Sequence, residues 1–276
     1  NQAISAHKAG APTLFVCAIG NDSFGQYAQN FYKTQQAHAQ WIMAPDTSTG
    51  NAAIMVNNVG QNEVVISHGA NHELRCEDVP LEDLRFSKIL VCQLETKLEA
   101  VASILKIAKQ HGITTLLNPA PAPKEAFPSD VYPHIDIWTP NENEFCALLK
   151  LHNHTAPHPK ELHNLSDQSL RELCLKANMP RCIVTLGEYG CFVADESKAY
   201  KIKPHTGIHV VDTTGAGDAF TGALAAHLSR GHDLFESAAF ANAAAALSTT
   251  LAGAATSMHT RTQIENFLKK HPSELY

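Results

Sequence analysis

Short apolar runs alternate with amphipathic stretches along most of the chain, and this rhythm limits the possible folds more than any other feature. TLFVCAIG at 13–20 has the pattern of a buried strand, and 24–36 that of the helix after it. The series continues with strands expected at 88–92, 114–117, 135–138, 181–186 and 208–211. Helices are expected at 97–111, 142–150, 167–178, 219–229, 234–251 and 260–270. Such alternation indicates a largely parallel sheet covered on both faces. Residues 52–56 and 64–67 flank the turn-rich hexapeptide NNVGQN, so a β-hairpin forming a flap is expected there.

The chain has 276 residues, 44% of them hydrophobic, enough to bury a large core as one α/β domain. Its formal net charge is −6 and it carries no Lys/Arg block, so neither nucleic acid nor an anionic membrane is expected as a partner. No apolar run approaches the roughly 20 residues of a membrane span. Seven cysteines without a C-x-x-C pair fit buried thiols in a reducing compartment, the cytoplasm. NQAISAHKAG at 1–10 has the pattern of a helix ended by Gly10, not of a signal peptide.

Open α/β sheets bind ligands beyond the carboxyl ends of their strands. Polar clusters follow five of the expected strands: Glu95, Asn118, Thr139–Glu144, Thr185–Gly187 and Asp212. The most informative is DTTGAGDAF at 212–220, two aspartates around a Gly-Ala-Gly turn that runs into a helix. Gly215, Ala216 and Gly217 can offer bare N–H groups to an anion at the positive end of that helix. Asp218 beside them can accept a proton from an alcohol, the combination that phosphoryl transfer requires. Asn141 and Glu144, three apart at a helix start, can either organise water-bound Mg²⁺ or form a capping box. No P-loop and no G-x-G-x-x-G after a first strand occurs. HNHTAPHPKELH at 152–163 holds His152, His154, His158 and His163 at spacings that match no standard metal site. Cys17 and Cys92 fall inside strands and have packing roles; Trp138 is expected in the core, and Trp41 is left open between core and sugar platform.

DTTGAGDAF resembles the signature of the ribokinase-like carbohydrate kinases, and Asn141-Glu142-Asn143-Glu144 resembles the N-x-x-E motif of that family. Gln93-Leu94-Glu95, Asn118-Pro119-Ala120-Pro121-Ala122, Thr139-Pro140-Asn141-Glu142, Thr185-Leu186-Gly187 and Ser48-Thr49-Gly50 follow in the family's order over nearly the whole chain. The resemblance implies a ribokinase-like α/β fold over 1–276, mostly parallel with helices on both faces and a small β lid at 50–68. It also implies ATP-dependent phosphorylation of D-ribose at O5, with Mg²⁺ as cofactor and K⁺ as activator. Asp218 would then be the base, with Gly215, Ala216 and Gly217 as the anion hole. Asn1 and Glu95 match sugar contacts; Asn141, Thr185, Gly187, Gly190, Gly217 and Asn242 match the nucleotide site. The K⁺ loop would comprise Asp212, Thr214, Ser248, Leu251, Gly253 and Ser257, with Glu144 acting on Mg²⁺ indirectly. Leu251-Ala252 and His259 depart from the usual residues of that loop.

Asn1-Gln2-Ala3 matches the end of the family's sugar-binding Gly-Gly-Lys-Gly-x-Asn motif, so a preceding segment of about 40 residues is expected. It would carry a first strand, part of the lid and a sugar-gripping aspartate. The exposed strand edges of a flap lead to the expectation of a homodimer. Two alternatives stay open at this level: another sugar or nucleoside kinase of the superfamily, and a non-catalytic sugar- or nucleotide-binding remnant.

Overall fold

The structure, a computed structural model, describes residues 1–56 and 62–271. Its centre is a six-stranded sheet built from β5 (Ile89–Cys92), β6 (Thr114–Leu117), β7 (Ile137–Trp138), β8 (Cys182–Thr185), β9 (Cys191–Ala194) and β10 (Ala199–Ile202). The spatial order is β10-β9-β8-β7-β6-β5. β5 to β8 run parallel, whereas β9 and β10 are added antiparallel at one edge. β1 (Leu14–Gly20) and β2 (His38–Ala44) pair in parallel as a separate two-stranded unit. β3 (Asn51–Val56) and β4 (Asn62–Ser67) form the expected antiparallel hairpin; its turn, 57–61, lies outside the described residues.

Helices cover both faces of the large sheet because β5 to β8 have apolar side chains on each side. On one face α4 (Leu98–Gln110), α5 (Glu142–Leu151) and α6 (Asp167–Lys176) close over Leu117, Trp138, Val184 and Phe192. On the other, α1 (Gln2–Lys8), α7 (Ala216–Ser229), α8 (Leu234–Ser248) and α9 (Arg261–Lys270) cover Leu116, Ile137, Ile183 and Val193. Alternate residues of one strand thus serve opposite cores, as the period-2 pleat requires. α8, with ten of its residues buried, is apolar nearly all round, and its alanines allow close approach to α7. The remaining helices are α2 (Ser23–Thr34) and the short α3 (Leu81–Phe86).

One expectation is corrected and one open reading is closed. Residues 208–211 form no strand: Val210 and Val211 are exposed, and Val211 N–H donates to Thr249 O at 2.8 Å. β-branched residues favour extended backbone, but among the described residues these pair with no strand. Trp41 is a packing residue, edge-on to Tyr32 with ring centres 5.3 Å apart, in a cluster with Phe15 and Ile4. Trp138 is in the core as expected, 1% exposed.

The hairpin is rooted by one carboxylate. Asp22 Oδ1 accepts from Gly25 N–H at 2.9 Å, capping α2, and from Thr49 Oγ1–H at 2.7 Å. Its Oδ2 accepts from Thr49 N–H at 2.7 Å, while Thr49 Oγ1 accepts from Gly20 N–H at 2.9 Å. Here the backbone packs against itself: a Cβ at Gly50 would meet His68 O at 2.6 Å. Gly69, at φ +45°, leaves no room for one against Ser48 O.

Candidate active site

Four of the five polar clusters follow neighbouring parallel strands, β5 to β8, and open at one end of the sheet. The fifth, at Asp212, follows no strand and is brought there by α7. A cleft of about 210 Å³ lies between them, lined by Asn118, Thr139, Asn141, Glu144 and Thr185 on the sheet side. Thr213, Gly215, Gly217 and Asp218 line the side of α7.

Gly215 takes φ +76° at the N-cap of α7, a conformation that favours glycine. Ala216 N–H turns back to Thr213 O at 3.2 Å, so of the expected donors this one is committed within the turn. The N–H groups of Gly217 and Asp218, in the first helical turn, have no intrahelical acceptor and open toward the cleft. A methyl at Gly217 would meet no atom within 4 Å. Gly217→Ala is therefore expected to leave the melting temperature unchanged or raised, since alanine favours helix by about 0.8–1.0 kcal/mol. It is expected to raise the KM for nucleotide, because the methyl would sit where a phosphoryl group approaches; thermal melts and kinetics check both halves.

Asp218 is held by α1. Its Oδ2 accepts from Asn1 Nδ2–H at 2.8 Å and its Oδ1 from Gln2 Nε2–H at 3.0 Å. Sequence context does not single out Gln2. Its one signal there is adjacency to Asn1, and its partners Gln93 and Asn118 lie about a hundred residues away.

Glu95 lies three residues beyond β5 and is open to solvent, not at the strand end itself. Although the residue is exposed and lies outside the cleft lining, partial desolvation of its carboxyl, then the nearby charge of Asp218, raises it above the usual carboxylate range. It does not cap α4, whose N-cap is Lys97, and among the described residues its carboxylate has no hydrogen-bond partner.

Asn141 and Glu144 form a full capping box at the start of α5. Glu144 N–H donates to Asn141 Oδ1 at 2.9 Å; Asn141 N–H and Nδ2–H donate back to Glu144 Oε2 and Oε1, at 2.9 and 2.8 Å. Burial is the first cause that lifts the Glu144 carboxyl to about 7. The pair also borders the cleft, so its capping role does not remove it from the site. Thr185 is bridged to Asn141 and lines the same cleft.

Gly187 and Gly190 take positive φ in the turn after β8. Asn242 is buried on α8, where its Nδ2–H holds Lys203 O at 2.9 Å. None of these three lines the cleft. Behind α7, Asp212 ties two loops together: Oδ1 accepts from Thr214 N–H at 2.9 Å and Oδ2 from Gly253 N–H at 2.8 Å. These bonds hold its carboxyl below the usual range. Ser248 ends α8 and Ser257 lies in a short 3₁₀ turn after Gly253.

Among the described residues no three His, Cys, Asp or Glu side chains are grouped to hold a metal ion. The histidines of 152–163 pack separately, His152 against the Tyr132 hydroxyl at 2.7 Å and His163 stacked 3.6 Å from Tyr189. Burial pushes the thiols of Cys17 and Cys92 up to about 12, so both stay protonated.

Comparison with known proteins decides the family. The model for pfkB family carbohydrate kinase matches residues 1–261. The chain belongs to that family. It is 32% identical to a ribokinase of Staphylococcus aureus over 94% of this chain and 83% of that protein. It is 35% identical to a ribokinase of Mus musculus, over 83% and 69%. A solved ribokinase of Thermotoga maritima superposes with TM-score 0.83 at 31% identity, covering 97% and 85%. The Arabidopsis thaliana ribokinase complexed with ribose and ATP superposes with TM-score 0.83 at 29% identity, covering 97% and 85%. The ribokinase-like α/β fold is thereby established, and the pfkB chain described here is a phosphotransferase, an ATP-dependent sugar kinase of the ribokinase type. Among its described residues no helix is long and apolar enough to cross a membrane.

Proposed function

We propose that this kinase phosphorylates D-ribose at O5, with Asp218 as general base. The observation that carries the reading is the first turn of α7, where a carboxylate stands beside unpaired N–H donors in one cleft. The sugar hydroxyl gives its proton to Asp218 as its oxygen bonds to the γ-phosphorus. The bond from that phosphorus to the β,γ-bridging oxygen breaks, and ADP leaves with the electron pair. The N–H groups of Gly217 and Asp218 hold the charge of the phosphoryl group, with Gly215 shaping the turn. Asn141 and Thr185 border the nucleotide side of the cleft, and Gly187, Gly190 and Asn242, outside its lining, are assigned to the nucleotide site by the family resemblance alone.

Mg²⁺, when bound with ATP, neutralises phosphate charge. The Glu144 oxygens accept one donor each from Asn141 and keep lone pairs for metal-bound water, so the residues fit an indirect role. K⁺ would be held between the loops that Asp212 ties together, by Asp212, Thr214, Ser248, Leu251, Gly253 and Ser257, several of them through backbone carbonyls. Exchange of K⁺ for Na⁺ at matched ionic strength is expected to lower activity; equal rates would remove the site. The lid hairpin would cover the sugar, and its exposed Met55, Val65 and Ile66 would meet a second copy in a cytoplasmic homodimer.

Ribose rests on Glu95, an unpartnered carboxylate that can accept both hydroxyls of a sugar diol. Glu95→Gln is expected to raise the KM for ribose well above any effect on the KM for ATP. The matching experiment is a panel of ribose, deoxyribose, fructose and adenosine with the unsubstituted protein. Preference for another member of the panel would reassign the substrate, and Glu95→Gln acting equally on both KM values would take Glu95 out of the sugar site.

A further inference from the structure

Asp218 does not stand free: one amide grips each of its carboxylate oxygens, and the two grips differ in kind. Asn1 Nδ2–H reaches Oδ2 from an exposed residue. Gln2 Nε2–H reaches Oδ1 at 3.0 Å as part of a chain of side-chain amides that crosses the cleft floor. Its other proton goes to Asn118 Oδ1 at 3.0 Å, and its own Oε1 accepts from Gln93 Nε2–H at 2.7 Å.

The direction of every amide in the chain is fixed by its far end. Thr139 O can only accept, so Asn118 must turn its Nδ2–H toward it, at 2.7 Å. That places Asn118 Oδ1 toward Gln2 and obliges Gln2 to present its NH₂. Gln2 Oε1 is thereby turned to Gln93, whose Nε2–H donates to it. A flipped Gln2 would set NH₂ against NH₂ at Gln93 and oxygen against oxygen at Asn118 and at Asp218, so no alternative arrangement satisfies the network. Gln93 follows β5 and Asn118 follows β6, so Asp218 is referenced to two core strands through Gln2.

We infer that Gln2 is a positioning residue for the transfer step, anchoring Asp218 Oδ1 so that Oδ2 is the oxygen that takes the sugar proton. This deepens the reading of Asp218 as base and rests on it. Asn1 is the grip that substrate exchanges for its own hydroxyl, whereas Gln2, saturated on both protons and held by Gln93, stays in place.

The test is a double-substitution cycle in the intact protein, with ribose and MgATP. Gln2→Met keeps the side-chain length and removes both donors. It is expected to lower kcat roughly 10- to 100-fold, the scale of a hydrogen bond to a charged group, with the KM for ATP unchanged. Combined with Asp218→Asn, the same change is expected to alter the residual rate less than about threefold, because the anchored group is gone. A merely structural Gln2 would lower the rate equally in both backgrounds, and that result, or an unchanged kcat for Gln2→Met, overturns the inference. Should Gln2→Met fail to fold, Gln93→Met, which releases the far side of the Gln2 amide, is taken through the same cycle and judged by the same outcomes. The underlying reading fails separately: Asp218→Asn alone would then keep most of its kcat.

Discussion

Asp218→Asn is expected to lower kcat by roughly 10²–10⁴-fold, the usual scale for loss of a general base. The substituted amide is nearly isosteric with the carboxylate, and its oxygen can still accept from Gln2 or Asn1. The cleft and the two backbone N–H donors at positions 217 and 218 therefore remain, and the KM for ATP should change little. The split between kcat and KM is what identifies a group that acts on the reacting hydroxyl instead of holding nucleotide. Steady-state kinetics with ribose and with ATP varied in turn check it, and a variant that keeps most of its kcat would transfer the role elsewhere.

Gly222→Val is expected to produce the largest combined loss of stability and activity. Gly222 lies on the face of α7 that meets α1, and a Cβ there would stand 2.5 Å from Ser5 Cβ and press on the Gln2 carbonyl. The two helices are also pinned by Ser5 Oγ–H donating to Ala219 O at 2.8 Å in a buried position. Overpacking of this kind costs about 1–3 kcal/mol. Its consequence for catalysis is specific, because α1 carries Asn1 and Gln2 and can move only by withdrawing their amides from Asp218. Calorimetric melts alongside kcat measurements check it; unchanged values in both would mean that the helices tolerate greater separation. Gly217 and Gly222, five residues apart on one helix, are thus glycines for opposite reasons, one facing open space and the other facing backbone.

The parallel strands of the large sheet and their helices were legible because short apolar runs in a buried sheet leave a plain pattern. β9 and β10 were not: four residues each around the Asp195–Lys198 turn are too few to separate from the turn itself. β2 was hidden because His38 and Gln40 break the apolar run, and its burial is only partial. At the site, Asp218 and the Gly-Ala-Gly turn could be read from one contiguous stretch, since all parts of an anion hole at a helix start are local. Gln2 could not, because its meaning comes from Gln93, Asn118 and Asp218, which only the fold brings together. Residues 208–211 show the reverse error: local preference for extended backbone was real, but among the described residues the segment pairs with no strand.

The way Asp22 roots the hairpin sets where the hairpin can vary during evolution. At the root, Gly20, Gly50 and Gly69 are each pressed against main-chain atoms that cannot step aside, and Thr49 is the residue whose hydroxyl both donates and accepts there. Beyond it, the side chains of Met55, Val65 and Ile66 are exposed. Substitutions can therefore accumulate at these exposed positions of the hairpin while the root stays fixed. The outer hairpin can change its surface chemistry without rebuilding the joint from which it springs.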